Sequence, residues 1–177
     1  MTNSNGRGVW HAALMRWLTS AIYASVKTMG ARQTKVMSRA MSLVFVRGLV
    51  NEARSRNHGE PAPTDNATEA LHRFRALEDQ QRLDEAQNVS IESQEDGEIR
   101  LSFTGCPYGP LCNETLAGLL SRGDFNKSSV PCVRTDTYSA ALAVLSNVKR
   151  PYRLIQFAPG ARCQSALLPA RGARQGE

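Results

Sequence analysis

Along residues 8–30, Trp10, Leu14, Trp17, Leu18, Ala21 and Ile22 recur at three-to-four spacing, which is one face of an α-helix. Gly30 is placed to end it. Residues 34–56 repeat the pattern through Met37, Met41, Val44, Phe45 and Leu49. Here an apolar run at 43–46 covers more than one face, which predicts the more deeply buried helix of the pair, with Phe45 in the core. The segment His58-Gly-Glu-Pro-Ala-Pro then breaks the helix, because proline removes a backbone donor and clashes with the preceding turn. Thr64 or Asp65 is placed to cap a third helix reaching about residue 87. Its narrow stripe of Ala70, Leu71, Phe74, Leu77 and Leu83 predicts a surface helix, with the charge run at 78–85 as its solvated face.

The period then changes to two. Val89 and Ile91 alternate with polar residues, as do Ile99, Leu101 and Phe103, around Glu95-Asp-Gly-Glu98. An Asp-Gly step between alternating runs predicts a β-hairpin. A second hairpin is predicted where residues 152–157 and 162–168 flank Ala-Pro-Gly-Ala, with helices at about 113–121 and 136–147 between the two. Helices first, then strands mixed with helices, predict an α+β fold: a helical N-terminal half packed on an antiparallel sheet of two hairpins. A single domain is expected over 1–168, with a helical lead-in at 8–87, a cysteine-bearing α+β part at 88–168 and a flexible tail at 169–177.

The chain has 177 residues and a formal charge of +6. That charge is uneven: residues 1–62 carry +7, 63–98 carry −7 and 99–177 carry +6. An acidic middle between basic ends predicts opposite faces that neutralise one another on folding, which leaves a nucleic-acid surface as the weaker reading. The first apolar stretch is broken by Arg16 and Lys27, so neither a secretory signal nor a membrane span is expected. The Asn-x-Ser/Thr triplets at Asn66, Asn88, Asn113 and Asn126 then read as chance matches. A cytoplasmic location is expected, where thiols stay reduced.

That compartment makes the four cysteines thiols or metal ligands before disulfides. Cys106, Cys112, Cys132 and Cys163 each fall at a predicted element boundary, where chain reversals can bring them together. Four thiols suit tetrahedral zinc or an iron–sulfur cluster. Zinc motifs usually separate paired ligands by about two to four residues, whereas five separate Cys106 from Cys112. The competing reading is a set of small buried hydrophobes, which is preferred for Cys132 and left level for Cys163. A functional role is preferred for Cys106 and Cys112. The loop that joins them, rich in glycine and proline, carries Tyr108 and places Cys112 at a predicted helix N-terminus, which lowers a thiol's pKa. Asp136, with Thr135, reads as a helix cap first and as a ligand-binding group second. His11, His58 and His72 lie away from every cysteine in sequence, and the tryptophans and methionines read as core.

Three stretches carry a resemblance: Cys106-Pro-Tyr, Pro131-Cys-Val-Arg-Thr-Asp136 and Phe157-Ala-Pro-Gly-Ala-Arg-Cys163. Over residues 88–168 this order resembles small α+β domains related to L-2-amino-thiazoline-4-carboxylate hydrolase and, more remotely, the 4-vinyl reductase-type ligand-binding domains. The resemblance implies a late Gly-x-x-Cys in a hairpin, here Gly160-Ala-Arg-Cys163. It also implies a small hydrophobic or tetrapyrrole-like ligand, or a cysteine-bound metal. It carries over to Cys106, Cys132, Asp136 and Cys163, although the family's ligand spacings are not reproduced residue for residue. The leading expectation is a binding module whose cysteine rim takes a small ligand, zinc or an iron–sulfur cluster, as a sensor, carrier or accessory protein. A small cysteine-dependent hydrolase of a cyclic C–N or C–S bond is the alternative, and it lacks a well-placed histidine base. A third reading is an accessory subunit that docks on a protein partner through the helices at 8–56.

Overall fold

In the computed structural model, residues 4–55, 63–81, 88–106, 108–117, 121 and 130–169 are described. Two long helices, α1 (Ser4–Met29) and α2 (Ala31–Ser55), are joined at Gly30, whose φ of 81° lets the chain turn in one residue. Helix α3 (Ala67–Gln80) is capped by Asn66, whose side chain accepts from the Thr68 and Glu69 amides, rather than by Thr64 or Asp65. Strands β1 (Val89–Ser93) and β2 (Ile99–Thr104) form the first hairpin through Gly97 at φ 78°. The short helix α4 (Gly109–Cys112) runs into a π-helical turn (Asn113–Ala117). Helix α5 (Val133–Leu145) precedes the hairpin of β3 (Tyr152–Gln156) and β4 (Arg162–Leu167).

The protein is therefore α+β, as its periodicities imply. The sheet order is β1-β2-β4-β3, antiparallel throughout, so the two hairpins join along β2 and β4 with Phe103 opposite Cys163. Among the described residues no helix is long and apolar enough to cross a membrane. Residues 82–87 and 170–177, which include Leu83 and most of the expected tail, lie outside the described residues.

Two apolar cores form. The larger joins α2, α3, α5 and the sheet through Val46, Leu71, Phe74, Leu101, Tyr138 and Leu142. The smaller lies between α1, the π turn, the start of α5 and β3, through Tyr23, Leu116, Val130, Val133 and Leu154. Cys132 packs against both.

Several burial expectations are corrected. Helix α1 buries Ile22, Tyr23 and Val26, while Trp17 stands exposed, so Trp17 is not core. Helix α2 buries a face that includes Lys35, Ser38 and Ser42, and leaves Val44 in solvent. Phe45 is half-buried against the larger core, not enclosed by it. Phe45→Ala is expected to cost about 2 kcal/mol, roughly half the loss of a fully buried phenylalanine. A urea midpoint unchanged from wild type would contradict that.

The largest correction concerns Glu78, expected in solvent and found fully buried. It accepts from Tyr138 Oη at 2.7 Å and pairs with Arg134 at 3.2 Å. The Arg134 guanidinium lies 5.5 Å from the ring centroids of both Phe103 and Tyr138. Thus α3 and α5 are locked by an ionic group inside an aromatic cage.

Candidate functional site

Backbone packing assembles the thiol region. The Gly105 amide donates to Ala161 O at 3.1 Å, tying the residues after β2 to the β3–β4 turn. Gly109 presses on that turn so closely that a Cβ there would lie 2.5 Å from Gly160 N. The loop bearing Cys106 and the strand start bearing Cys163 are thereby held side by side. Cys132 is the N-cap of α5 and lies over the middle of the sheet: its amide donates to Tyr152 Oη at 3.0 Å, and the Thr135 hydroxyl that contacts its sulfur also reaches Ser165.

All four cysteines are free thiols and partly accessible. Cys112 Sγ lies 2.9 Å from Tyr23 Oη. Burial pushes the Cys112 thiol well above its ordinary pKa, and negative charge on Cys132, Cys106 or Cys163 would push it further. Cys106, Cys132 and Cys163 each lie near enough for a charge there to raise the Cys112 pKa, although 56 residues lie between the first and the last of the four in sequence. Burial likewise pushes Cys132 up to about 12 and raises Cys163. Cys132 Sγ accepts from Thr135 Oγ1 at 3.2 Å, and that hydroxyl also lies 3.0 Å from Ser165 Oγ. One proton cannot serve both contacts, so Thr135 donates in one and accepts in the other.

This overturns the sequence expectation for Cys112. The residue closes α4 instead of opening a helix, so no row of helix N-terminal amides lies behind its sulfur. Desolvation then dominates and favours the neutral thiol. Tyr108 is buried, not presented at a mouth. Among the described residues, which include all four cysteines, no group of three or more His, Cys, Asp or Glu side chains is placed to hold a metal ion.

Asp136 is not a cap. It sits in the first turn of α5, fully buried, facing α2. Ser38 donates to its Oδ2, while Oδ1 has no hydrogen bond and lies 3.4 Å from Arg39 Nε. Burial pushes its pKa up to about 6, and Ser38, Arg39 and Lys35 only partly offset this. Lys35 reaches over the Tyr152 ring at 3.8 Å, and burial and Arg39 lower its pKa to about 8. Lys35 and the Cys132 amide both contact Tyr152, so this polar group adjoins Cys132. Lys35, Ser38 and Tyr152 were missed in the sequence because nothing local marks them; Tyr152 reads as an ordinary strand residue.

These values fix a pH dependence. The folded protein holds the Asp136 proton more tightly than the unfolded chain: the carboxyl's ordinary pKa of 3.8 rises to about 6 on folding. Stability should therefore fall as pH rises from about 4 to about 6. Asp136→Asn should flatten that slope in urea titrations at several pH values, and an unaltered slope would show that Asp136 does not titrate there.

No family model matches the chain, and no curated protein and no solved structure is similar to it.

Proposed function

We propose that the chain is a small-ligand-binding module whose site is the thiol-bearing end of the sheet, lined by Cys106, Cys112, Cys132 and Cys163. One feature supports this reading: Cys106, Cys132 and Cys163, half-buried and from separate chain segments, all lie near enough for a charge on them to be felt at Cys112. Burial keeps Cys112, Cys132 and Cys163 neutral at physiological pH. The rim is therefore soft and polarisable but not anionic, which suits a largely apolar organic molecule. A resident zinc ion or iron–sulfur cluster would require the thiols to ionise and to approach one another, since among the described residues no three ligand groups are placed to hold a metal ion. The test is anaerobic purification followed by metal analysis, an absorption spectrum and mass spectrometry of the denatured extract. A stoichiometric organic molecule without metal is expected, and it should be lost in Cys112→Ser. Stoichiometric zinc or iron would overturn the choice of ligand in favour of a metal centre.

A second reading, a cysteine-dependent hydrolase of a cyclic C–N or C–S bond, is favoured by Lys35. Its amine, with a pKa of about 8, lies over the ring of Tyr152, whose hydroxyl takes the Cys132 amide, and is placed to serve as the base. Lys35→Met should then abolish thiol-dependent turnover of a thiazoline while leaving ligand binding in place. Turnover equal to wild type would remove this reading.

A further inference from the structure

The four large apolar side chains that stand exposed among the described residues all belong to the first two helices: Trp17 at 66%, Met29 at 45%, Val36 at 66% and Val44 at 71%. On α2 they form a stripe. Val36, Ala40, Val44 and Gly48 recur every fourth residue, all exposed, opposite the buried Thr34, Ser38, Ser42, Val46 and Leu49. Arg32 and Arg47 are exposed at its two ends. On α1, the exposed Trp17 neighbours exposed Arg16, with Ala13, Ala21 and Ala24 also in solvent and Lys27 one turn further on.

The charge pattern is one-sided. The first acidic residue of the whole chain is Glu52, and seven lysines and arginines precede it. Glu52 stands exposed at the next position of the α2 stripe, and no carboxylate precedes it to temper the cations of α1 and the earlier part of the stripe. A nucleic-acid surface has little use for solvent-facing valines, because phosphate contacts come from cations and polar groups. An anionic lipid surface uses both parts. Aliphatic and indole side chains enter the headgroup–acyl boundary while arginines pair with lipid phosphates and carboxylates. Neither helix is apolar enough to cross the bilayer, so any engagement is peripheral.

We infer that the outer faces of α1 and α2, with Val36, Val44 and Trp17 as apolar anchors and Arg16, Lys27, Arg32 and Arg47 as cations, dock on an anionic phospholipid surface. This inference is independent of the thiol site. Both tryptophans of the chain lie in α1, so their emission reports contact of that helix directly.

The experiment is flotation of the full-length protein with vesicles of phosphatidylcholine alone and of equal parts phosphatidylcholine and phosphatidylserine, with tryptophan emission recorded in parallel. Binding only to the serine-containing vesicles is expected, with a blue shift of emission and release in high salt. The variants Val36→Asp/Val44→Asp and Arg32→Glu/Arg47→Glu should each weaken binding by about ten-fold or more, with unchanged far-ultraviolet circular dichroism. Because both pairs are exposed, they separate surface loss from misfolding. No binding to either vesicle, or equal binding to both, would overturn the proposal. So would binding to duplex DNA that the arginine pair weakens and the valine pair does not, which would mark a nucleic-acid surface. A concentration-dependent dimer abolished by Val36→Asp/Val44→Asp, without vesicle binding, would also overturn it and assign the face to a second copy of the chain.

Discussion

Glu78→Ala is expected to destabilise the protein by about 3–5 kcal/mol, the range for removing one partner of a buried ion pair. The carboxylate is fully buried, and the Arg134 side chain opposite it is only 5% exposed. Truncation deprives the guanidinium of this counter-charge and removes the acceptor of the Tyr138 hydroxyl at 2.7 Å. It also opens a void between α3 and α5. Glu78→Gln keeps an acceptor but not the charge, and should fall between alanine and wild type. The double variant Glu78→Met/Arg134→Met should lose much less than the sum of its single changes, because apolar groups can fill the same space without the desolvation cost. Denaturant midpoints at matched slopes decide this. A loss below about 1 kcal/mol for Glu78→Ala would be a typical surface effect, and would place Glu78 in solvent.

Gly109→Ala is expected to open the thiol region while leaving the larger core intact. Its new Cβ would stand 2.5 Å from Gly160 N and 2.9 Å from Gly160 Cα. Both obstacles are backbone, so no rotamer change relieves them, and the loop or the hairpin turn must move. Overpacking of this kind costs about 1–3 kcal/mol. The functional effect should be larger, because the Gly105–Ala161 bond and the side-by-side placement of Cys106 and Cys163 depend on that contact. Alkylation of Cys106 and Cys163 in the folded variant should be clearly faster than in wild type, with Tyr138 and the sheet unchanged by NMR. Equal rates would show that the glycine contact does not hold the site closed.

The two hairpins were legible because alternation of apolar and polar residues survives wherever one sheet face is buried, and because Asp96-Gly97 marks its own turn. Predicted strand limits at 152–157 and 162–168 differ from the observed ones by one residue. The nearness of the Cys106 loop to Cys163 was legible because one follows β2 and the other lies at the start of β4, its partner strand. What stayed hidden was polar burial. Glu78 continues the stripe of Ala70, Leu71, Phe74 and Leu77 at helical spacing, so its position announced burial while its chemistry suggested solvent. Its partner Arg134 lies 56 residues away, and nothing local foretells the pairing. Helix α2 inverts the usual signal: its inner face carries Lys35, Ser38 and Ser42 while Val36 and Val44 face out. A reading based on hydrophobicity therefore missed this polar part of the inner face and misplaced Val44, although Met37, Met41, Phe45 and Leu49 do pack on the cores. Cys112 was misjudged for a related reason. A helix start was expected at 113, whereas Pro110 stands in the first turn of a helix that begins at Gly109 and ends at the cysteine.

The central claim, that four distant thiols form one site, is most directly tested with phenylarsine oxide, a trivalent arsenical that is held only where two thiols can reach the same atom. The folded protein should take up one equivalent, mapped by mass spectrometry to Cys112 and a second cysteine, and Cys112→Ser should take up much less. No uptake until the protein is denatured, or uptake indifferent to Cys112→Ser, would contradict the account.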